Sequence, residues 1–106
     1  MTDAEAEAML AECRAVLPGL VWRLGSLPVA IGEDANSVTC AEVLRVWPDE
    51  SEPFRACVYA LGFTLSRHGA TATEALAKAR GAAGHELAKR QAELDRERAW
   101  LGLSNG

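Results

Sequence analysis

The chain has 106 residues, the length of one ordinary domain, and its hydrophobic fraction of 49% is that of a globular rather than a disordered protein. Its net charge of −4 is uneven, since residues 1–53 carry −7 and residues 54–106 carry +3, and the acidic half disfavours nonspecific binding to nucleic acid. No apolar run approaches the roughly 20 residues that cross a membrane, and the acidic start Met1–Glu5 lacks the basic region of a secretory signal. We therefore expect a single domain over residues 1–106 in the cytoplasm.

The first predicted element is a helix over residues 2–17. Thr2 and Glu5 fit the capping box, in which a hydroxyl and a carboxylate satisfy free N–H groups at the start of a helix. Apolar residues then recur every three or four positions, which is the spacing of one helix face. The Pro-Gly pair at 18–19 ends the helix.

Three strands are predicted next, over residues of about 20–31, 38–47 and 54–67. Because Pro28 cannot donate to a ladder, its stretch belongs at an edge or a bulge, and it forms either one bent strand or two short ones. Neither face of the middle strand is cleanly polar, so we expect it to be either central in the sheet or covered at both ends. Gly62 predicts a bulge or bend within the last strand.

The strongest helix signal covers residues 72–100. Thr71 and Glu74 form a second capping box. An apolar stripe follows at helical spacing, formed by Ala72, Ala75, Leu76, Ala79, Ala83, Leu87 and Leu94. Within this pattern Gly81 and Gly84 predict either a bend or a close contact that a methyl group would block.

This order of elements predicts an α+β fold with two layers. Three consecutive strands with short connections form an antiparallel meander of three to four strands, and the two helices cover one face of it. The tail over residues 102–106 is predicted to be frayed.

Chemistry that needs converging side chains finds little support in the sequence. Cys13, Cys40 and Cys57 are predicted to be reduced, largely buried thiols, because their spacing fits no metal or redox motif. His68 and His85 are 17 positions apart and match no zinc signature. We therefore expect no catalytic residues, no metal site, no cofactor and no enzymatic activity.

The order helix, three strands, helix resembles that of the double-stranded-RNA-binding domain. In that family the last helix opens with a lysine cluster that grips phosphates. Here Thr71–Glu74 occupy the matching positions, with Lys78 and Arg80 further along, so the resemblance covers topology alone. A carboxylate at this helix start would repel a phosphate, and nucleic acid is not the expected partner.

Two groups of residues remain as candidates for binding a partner. The first is an acidic rim in two strand-connecting loops, formed by Glu33, Asp34, Asp49, Glu50 and Glu52. The second is an apolar tip that follows a charged stretch, formed by Trp100 and Leu101. Tryptophan is enriched among the residues that dominate interface energetics.

In its small size, acidity, alanine content and lack of motifs, the chain resembles accessory proteins of phages and mobile elements of the anti-CRISPR type. The resemblance is to a class and rests on no family motif. It implies a non-enzymatic inhibitor of a host nucleic-acid-binding defence complex. Loop carboxylates would stand in for phosphates against a protein partner with a basic surface.

Two alternatives stay open. The chain forms a structural homodimer, joined through the long helix or through a strand edge near Pro28. Or it binds nucleic acid through cations of the last helix, namely Lys78, Arg80, Lys89, Arg90, Arg96 and Arg98.

Overall fold

A computed structural model of the chain describes residues 1–46 and 51–103. Its elements within these ranges are α1 Asp3–Val16, β1 Val21–Leu24, β2 Val29–Glu33, β3 Thr39–Arg45, β4 Phe54–Ala60, β5 Phe63–Gly69 and α2 Ala72–Trp100. The strands form one antiparallel sheet of five, in the order β1-β2-β3-β4-β5. The fold is α+β, as predicted, and β3 is its central strand. Trp47, at the predicted end of the middle strand, and residues 104–106 of the predicted frayed tail lie outside the described residues.

The prediction of one continuous strand over residues 54–67 was wrong, because this segment is a hairpin. Ala60 lies opposite Phe63 in the ladder, so Leu61 and Gly62 form a two-residue turn. Gly62 has a φ of 88°, a region that side chains rarely adopt and that glycine adopts without strain. The glycine therefore reverses the chain where we expected it only to bend a strand.

The segment 20–31 is two strands, which decides between the two predicted forms. Pro28 lies in the loop that joins β1 to β2. β2 is flanked by β1 and β3, so the outer edge of the sheet belongs to β1 and not to the stretch that follows the proline. The ladder between β2 and β3 shifts register between Gly32 and Glu33. The total of five strands, rather than three or four, follows from these two hairpins.

Both helices begin where the sequence predicts. The Thr2 hydroxyl accepts from the N–H of Glu5 at 3.2 Å, and the Thr71 hydroxyl accepts from the N–H of Glu74 at 3.0 Å. The Glu74 carboxylate accepts from the N–H of Ala70 at 3.2 Å, one residue before the predicted donor. These bonds satisfy N–H groups that have no partner within the helix.

The core between the helices and one face of the sheet is built largely from small residues. It joins Met9, Leu10, Cys13, Trp22, Ala30, Ala41, Val43, Ala56, Ala72, Ala75, Leu76 and Ala79. Small side chains on both sides let a helix approach the sheet closely. The largest side chain in this core is that of Trp22, whose indole N–H donates to the carbonyl of Leu17 at 2.9 Å. Its ring lies over Gly32, where an added Cβ would come within 2.9 Å of it.

Helix α2 is longer than the sheet that it covers. Its 29 residues span about 43 Å, whereas the seven residues of a central strand span about 23 Å. Burial on α2 ends at Ala83. Leu87 and Leu94, which we expected in the covered stripe, are 52% and 54% exposed. That expectation was wrong because helical periodicity records a face and not the extent of the layer beneath it.

The two glycines of α2 have open space around them. Among the described residues, no atom lies within 4 Å of a Cβ placed on Gly81 or Gly84, apart from the backbone of the helix itself and the adjacent residues. The close contact that we considered for them is therefore not present.

We expect Gly81→Ala and Gly84→Ala each to raise the free energy of unfolding by about 0.5–1 kcal/mol, because alanine restricts the unfolded chain and fits the helix. Denaturant unfolding of each variant measures the change. Gly69→Ala is the matched control, since its Cβ would overlap the backbone N of Ala75 and lower stability. Unchanged or reduced stability in both helix variants would contradict the assignment.

Candidate interaction surfaces

The described residues hold no group of three or more His, Cys, Asp or Glu side chains placed to bind a metal ion. Cys13 lies in the core, where burial, and secondarily the charge of Glu12, raises the pKa of its thiol to about 12. It is therefore a protonated thiol at neutral pH. His68 is on β5 and His85 on α2, and both are exposed. In the described part of the chain, no helix is both long enough and apolar enough to cross a bilayer.

The structure separates the two parts of the predicted acidic rim. Glu33 and Asp34 lie where β2 ends and the loop to β3 begins, whereas Glu52 lies in the connection from β3 to β4. These loops flank opposite ends of β3, which are about 20 Å apart for a strand of this length. Asp49 and Glu50 lie outside the described residues. The described acids therefore do not form one continuous surface.

Each described acid of the rim has a partner within the chain. Glu33 pairs with Arg23 on the neighbouring strand at 2.5 Å. Glu52 accepts from the ammonium group of Lys78 at 2.9 Å, and Lys78 also pairs with Glu74 at 3.0 Å. Exposed pairs of this kind contribute little to stability, but each cation reduces the negative charge that these loops present to a partner.

Asp34 organises the loop between β2 and β3. Its Oδ1 accepts from the N–H of Asn36 at 2.8 Å and from the N–H of Val38 at 3.2 Å. This is the side-chain turn that aspartate favours, and it supports Ser37 at a φ of 60°. The N–H of Asn36, and then that of Val38, lowers the pKa of Asp34, because donated hydrogen bonds favour the charged carboxylate.

We expect Asp34→Ala to lower the Tm at neutral pH and the difference from the unchanged chain to close in acid. A pKa that is lower in the folded state gives stability that is complete above the unfolded value, about 3.9. That stability disappears as the pH falls through the folded value. Thermal unfolding measured across a pH series tests this.

Asp34→Asn is the control for this series, since it keeps the accepting oxygen but cannot titrate. Its Tm difference from the unchanged chain should change with pH in parallel with that of the alanine variant, because both lack the titrating carboxyl, but it should be smaller at neutral pH because the amide oxygen still accepts. A gap between Asp34→Ala and the unchanged chain that persists at the acid end would contradict the role of the charge.

None of the elements in the described ranges covers the face of the sheet that points away from the helices. It has a shallow depression of about 460 Å³, which is lined by Leu27, Pro28, Val29, Glu42, Leu44, Arg45, Arg55, Cys57 and Tyr59. The Tyr59 hydroxyl donates to Glu42 at 3.3 Å. The Nε of Arg55 is buried without a hydrogen-bond partner among the described residues. The sequence signal for this surface was the presence of apolar residues on both parities of β3. We interpreted that signal as a central or covered strand and not as an exposed apolar surface.

The cations predicted for nucleic-acid binding are partly engaged inside the protein. Lys78 is held by the two carboxylates described above, and Arg80 donates to the carbonyl of Val16 at 3.1 Å. Arg90 donates to the carbonyls of Leu61 and Gly62 at 2.7 and 2.8 Å. At least three of the six cations therefore already bind carboxylates or carbonyl groups of this chain.

Arg90 marks the point where α2 leaves the sheet. Besides its bonds to the β4–β5 turn, its guanidinium group lies 4.7 Å from the ring centre of Phe63, a cation–π distance. An added Cβ at Gly62 would come within 2.7 Å of this guanidinium group, so glycine also gives the arginine access to the turn. The helix is thus tied to the sheet up to this residue.

Beyond Arg90, every residue from 91 to 103 is exposed. We refer to residues 84–103, which follow the last buried residue of α2, as the projecting segment. Its large apolar side chains are 52–73% exposed, namely Leu87, Leu94, Trp100, Leu101 and Leu103. The predicted tip, Trp100 and Leu101, is the end of this longer apolar surface and does not fold back onto the described domain.

Three of these residues recur at intervals of seven. We refer to Leu87, Leu94 and Leu101 as the leucine stripe. Residues seven apart lie on nearly the same side of a helix, and associating helices carry two apolar positions in each such interval. Here leucine fills one of the two positions, and Gln91 and Arg98 occupy the other. The sequence carried this signal, and we attributed its first two members to the core.

Comparisons with protein-family models, curated proteins and solved structures gave no match to this chain. The resemblance to anti-CRISPR-type accessory proteins therefore stays a prediction.

Proposed function

We propose that the chain is a non-enzymatic protein-binding module and that it binds through the projecting segment. The observation that carries this proposal is the exposure of the leucine stripe and Trp100 on a helix that has left its own core. Exposed single apolar residues are ordinary, but a row of them along one element is characteristic of an interaction site.

The energetics of the helix point the same way. The helical residues beyond Arg90, 91–100, form a stretch shorter than the roughly 12–15 residues below which an isolated helix is marginal in water. Most helical stability in proteins comes from packing an apolar face. Within the projecting segment, contact with the sheet ends at Arg90, and about three further turns are exposed. A partner that covers the leucine stripe supplies the packing that the sheet does not.

The acidic loops support a narrower form of this proposal, an inhibitor of a host nucleic-acid-binding defence complex. Glu33, Asp34 and Glu52 each have partners inside the chain, so this form depends mainly on Asp49 and Glu50. It rests on charge alone, whereas binding through the projecting segment rests on exposed apolar area. We therefore place the helix first and the loops second.

Leu94→Lys tests the proposal, because Leu94 is the middle residue of the stripe and is already half-exposed. The chain is immobilised and incubated with a lysate of its own cells, which also express a second, tagged copy of the chain. We expect the variant to lose captured polypeptides about tenfold or more relative to the unchanged chain. Quantitative mass spectrometry measures the loss.

Ala92→Lys is the matched control. It adds the same side chain to the same exposed helix but on the opposite face. Binding through the stripe requires that this variant captures the same polypeptides as the unchanged chain. Equal capture by Leu94→Lys and Ala92→Lys would contradict the proposed function.

A further inference from the structure

We propose that the leucine stripe binds a second copy of this chain, with the two projecting segments side by side and antiparallel. This inference rests on the proposed function and names the partner. It is carried by three independent properties of the described chain: its excess surface, its charge pattern and the side of the helix on which the stripe lies.

The first property is the surface of the protein. The accessible surface is 6785 Å², whereas a compact monomer of 11.3 kDa exposes about 5,700 Å². The radius of gyration is 16.4 Å, against about 13 Å for a compact domain of this length. The excess of roughly 1,000 Å² is close to the 800 Å² that each partner contributes to a stable interface of standard size.

The second property is charge. The projecting segment holds four cations and four anions, so two copies meet without net repulsion. When two copies are antiparallel with Leu94 at the two-fold axis, Leu87 of one copy lies beside Leu101 of the other. Residue 90 of one copy is then level with residue 98 of the other, so Arg90 lies beside Arg98 and, on the same flank of the stripe and one residue further along, beside Glu97, in both directions. Opposite charges beside an apolar seam are how helix pairs select a partner and an orientation.

The third property is the position of the stripe relative to the sheet. Leu87 follows Ala83, the last buried residue of α2, by four positions, so the stripe continues along the sheet side of the helix. A parallel partner would bring two sheets to the same end and the same side of the helix pair, where they would overlap. An antiparallel partner places the two sheets at opposite ends.

The antiparallel arrangement also covers the most exposed apolar residue outside the helix. Leu61, in the β4–β5 turn, is 96% exposed, and its carbonyl accepts from Arg90. Pairing about Leu94 sets residue 98 of one copy level with residue 90 of the other. The end of each helix, with Trp100, therefore reaches the β4–β5 turn of the second copy.

Sedimentation equilibrium across a micromolar concentration series tests the second copy as the partner. We expect a reversible dimer of twice 11.3 kDa for the unchanged chain and for Ala92→Lys. Leu94→Lys should raise the dimer dissociation constant by about 30-fold or more, the effect of losing a central interface residue. Circular dichroism checks that the variant is folded, which we expect because the Leu94 side chain is 54% exposed.

A crosslinking pair tests the orientation. In a Cys40→Ser, Cys57→Ser background, chains with Leu87→Cys are mixed with chains with Leu101→Cys and treated with a short bismaleimide. The buried Cys13 stays unreacted. An antiparallel pair gives mainly mixed 87–101 crosslinks, whereas a parallel pair gives 87–87 and 101–101 crosslinks and would overturn the orientation.

The possible outcomes separate this inference from the proposed function. A monomer across the whole series, or a dimer that Leu94→Lys and Ala92→Lys leave equally tight, overturns the second copy as the occupant of the stripe. In either case, capture of a different polypeptide that Leu94→Lys abolishes would leave the proposed function standing. Loss of the dimer in Leu94→Lys, together with loss of captured polypeptides and with Ala92→Lys unaffected, supports the inference.

Discussion

The structure depends on the close contact between the alanine face of α2 and the small residues of the sheet. Ala75 and Ala79 on the helix meet a sheet face on which Ala41 and Ala56 are fully buried. Small side chains predominate on both sides, with Leu76 and Val43 as the larger fully buried residues between the layers. This contact fixes the direction of α2, and thereby the direction in which its uncovered half leaves the domain.

The length of that uncovered half follows from a mismatch between two regular structures. The helix adds only about 1.5 Å per residue against about 3.3 Å for a strand, but α2 has 29 residues and β3, β4 and β5 have seven each, so α2 continues well beyond the β4–β5 turn. Arg90 holds the helix at the point of departure through the turn carbonyls and the Phe63 ring. The apolar surface that follows is therefore presented from a fixed base, as a binding surface needs to be.

Several charged side chains of this chain have partners inside the fold. Lys78 joins a loop acid to the first turn of α2, Arg80 joins α2 to the end of α1, and Glu12 accepts from both the N–H and the hydroxyl of Thr73. Sequence charge counts cannot distinguish such internal partners from free charges. The acidic rim and the basic helix therefore stay predictions as binding surfaces.

The sequence by itself determined where both helices begin, because a capping hydroxyl and the N–H that donates to it lie three residues apart and act locally. It also determined the α+β class, since periodicity is a local pattern, and left β3 either central or covered at both ends. Only the tertiary structure decided that Leu61 and Gly62 reverse the chain, that the acidic loops lie at opposite ends of β3, and that Leu87 and Leu94 are exposed. These features depend on the pairing of distant segments and on how far the sheet extends beneath α2. An apolar stripe has the same spacing in the sequence whether or not a sheet covers it.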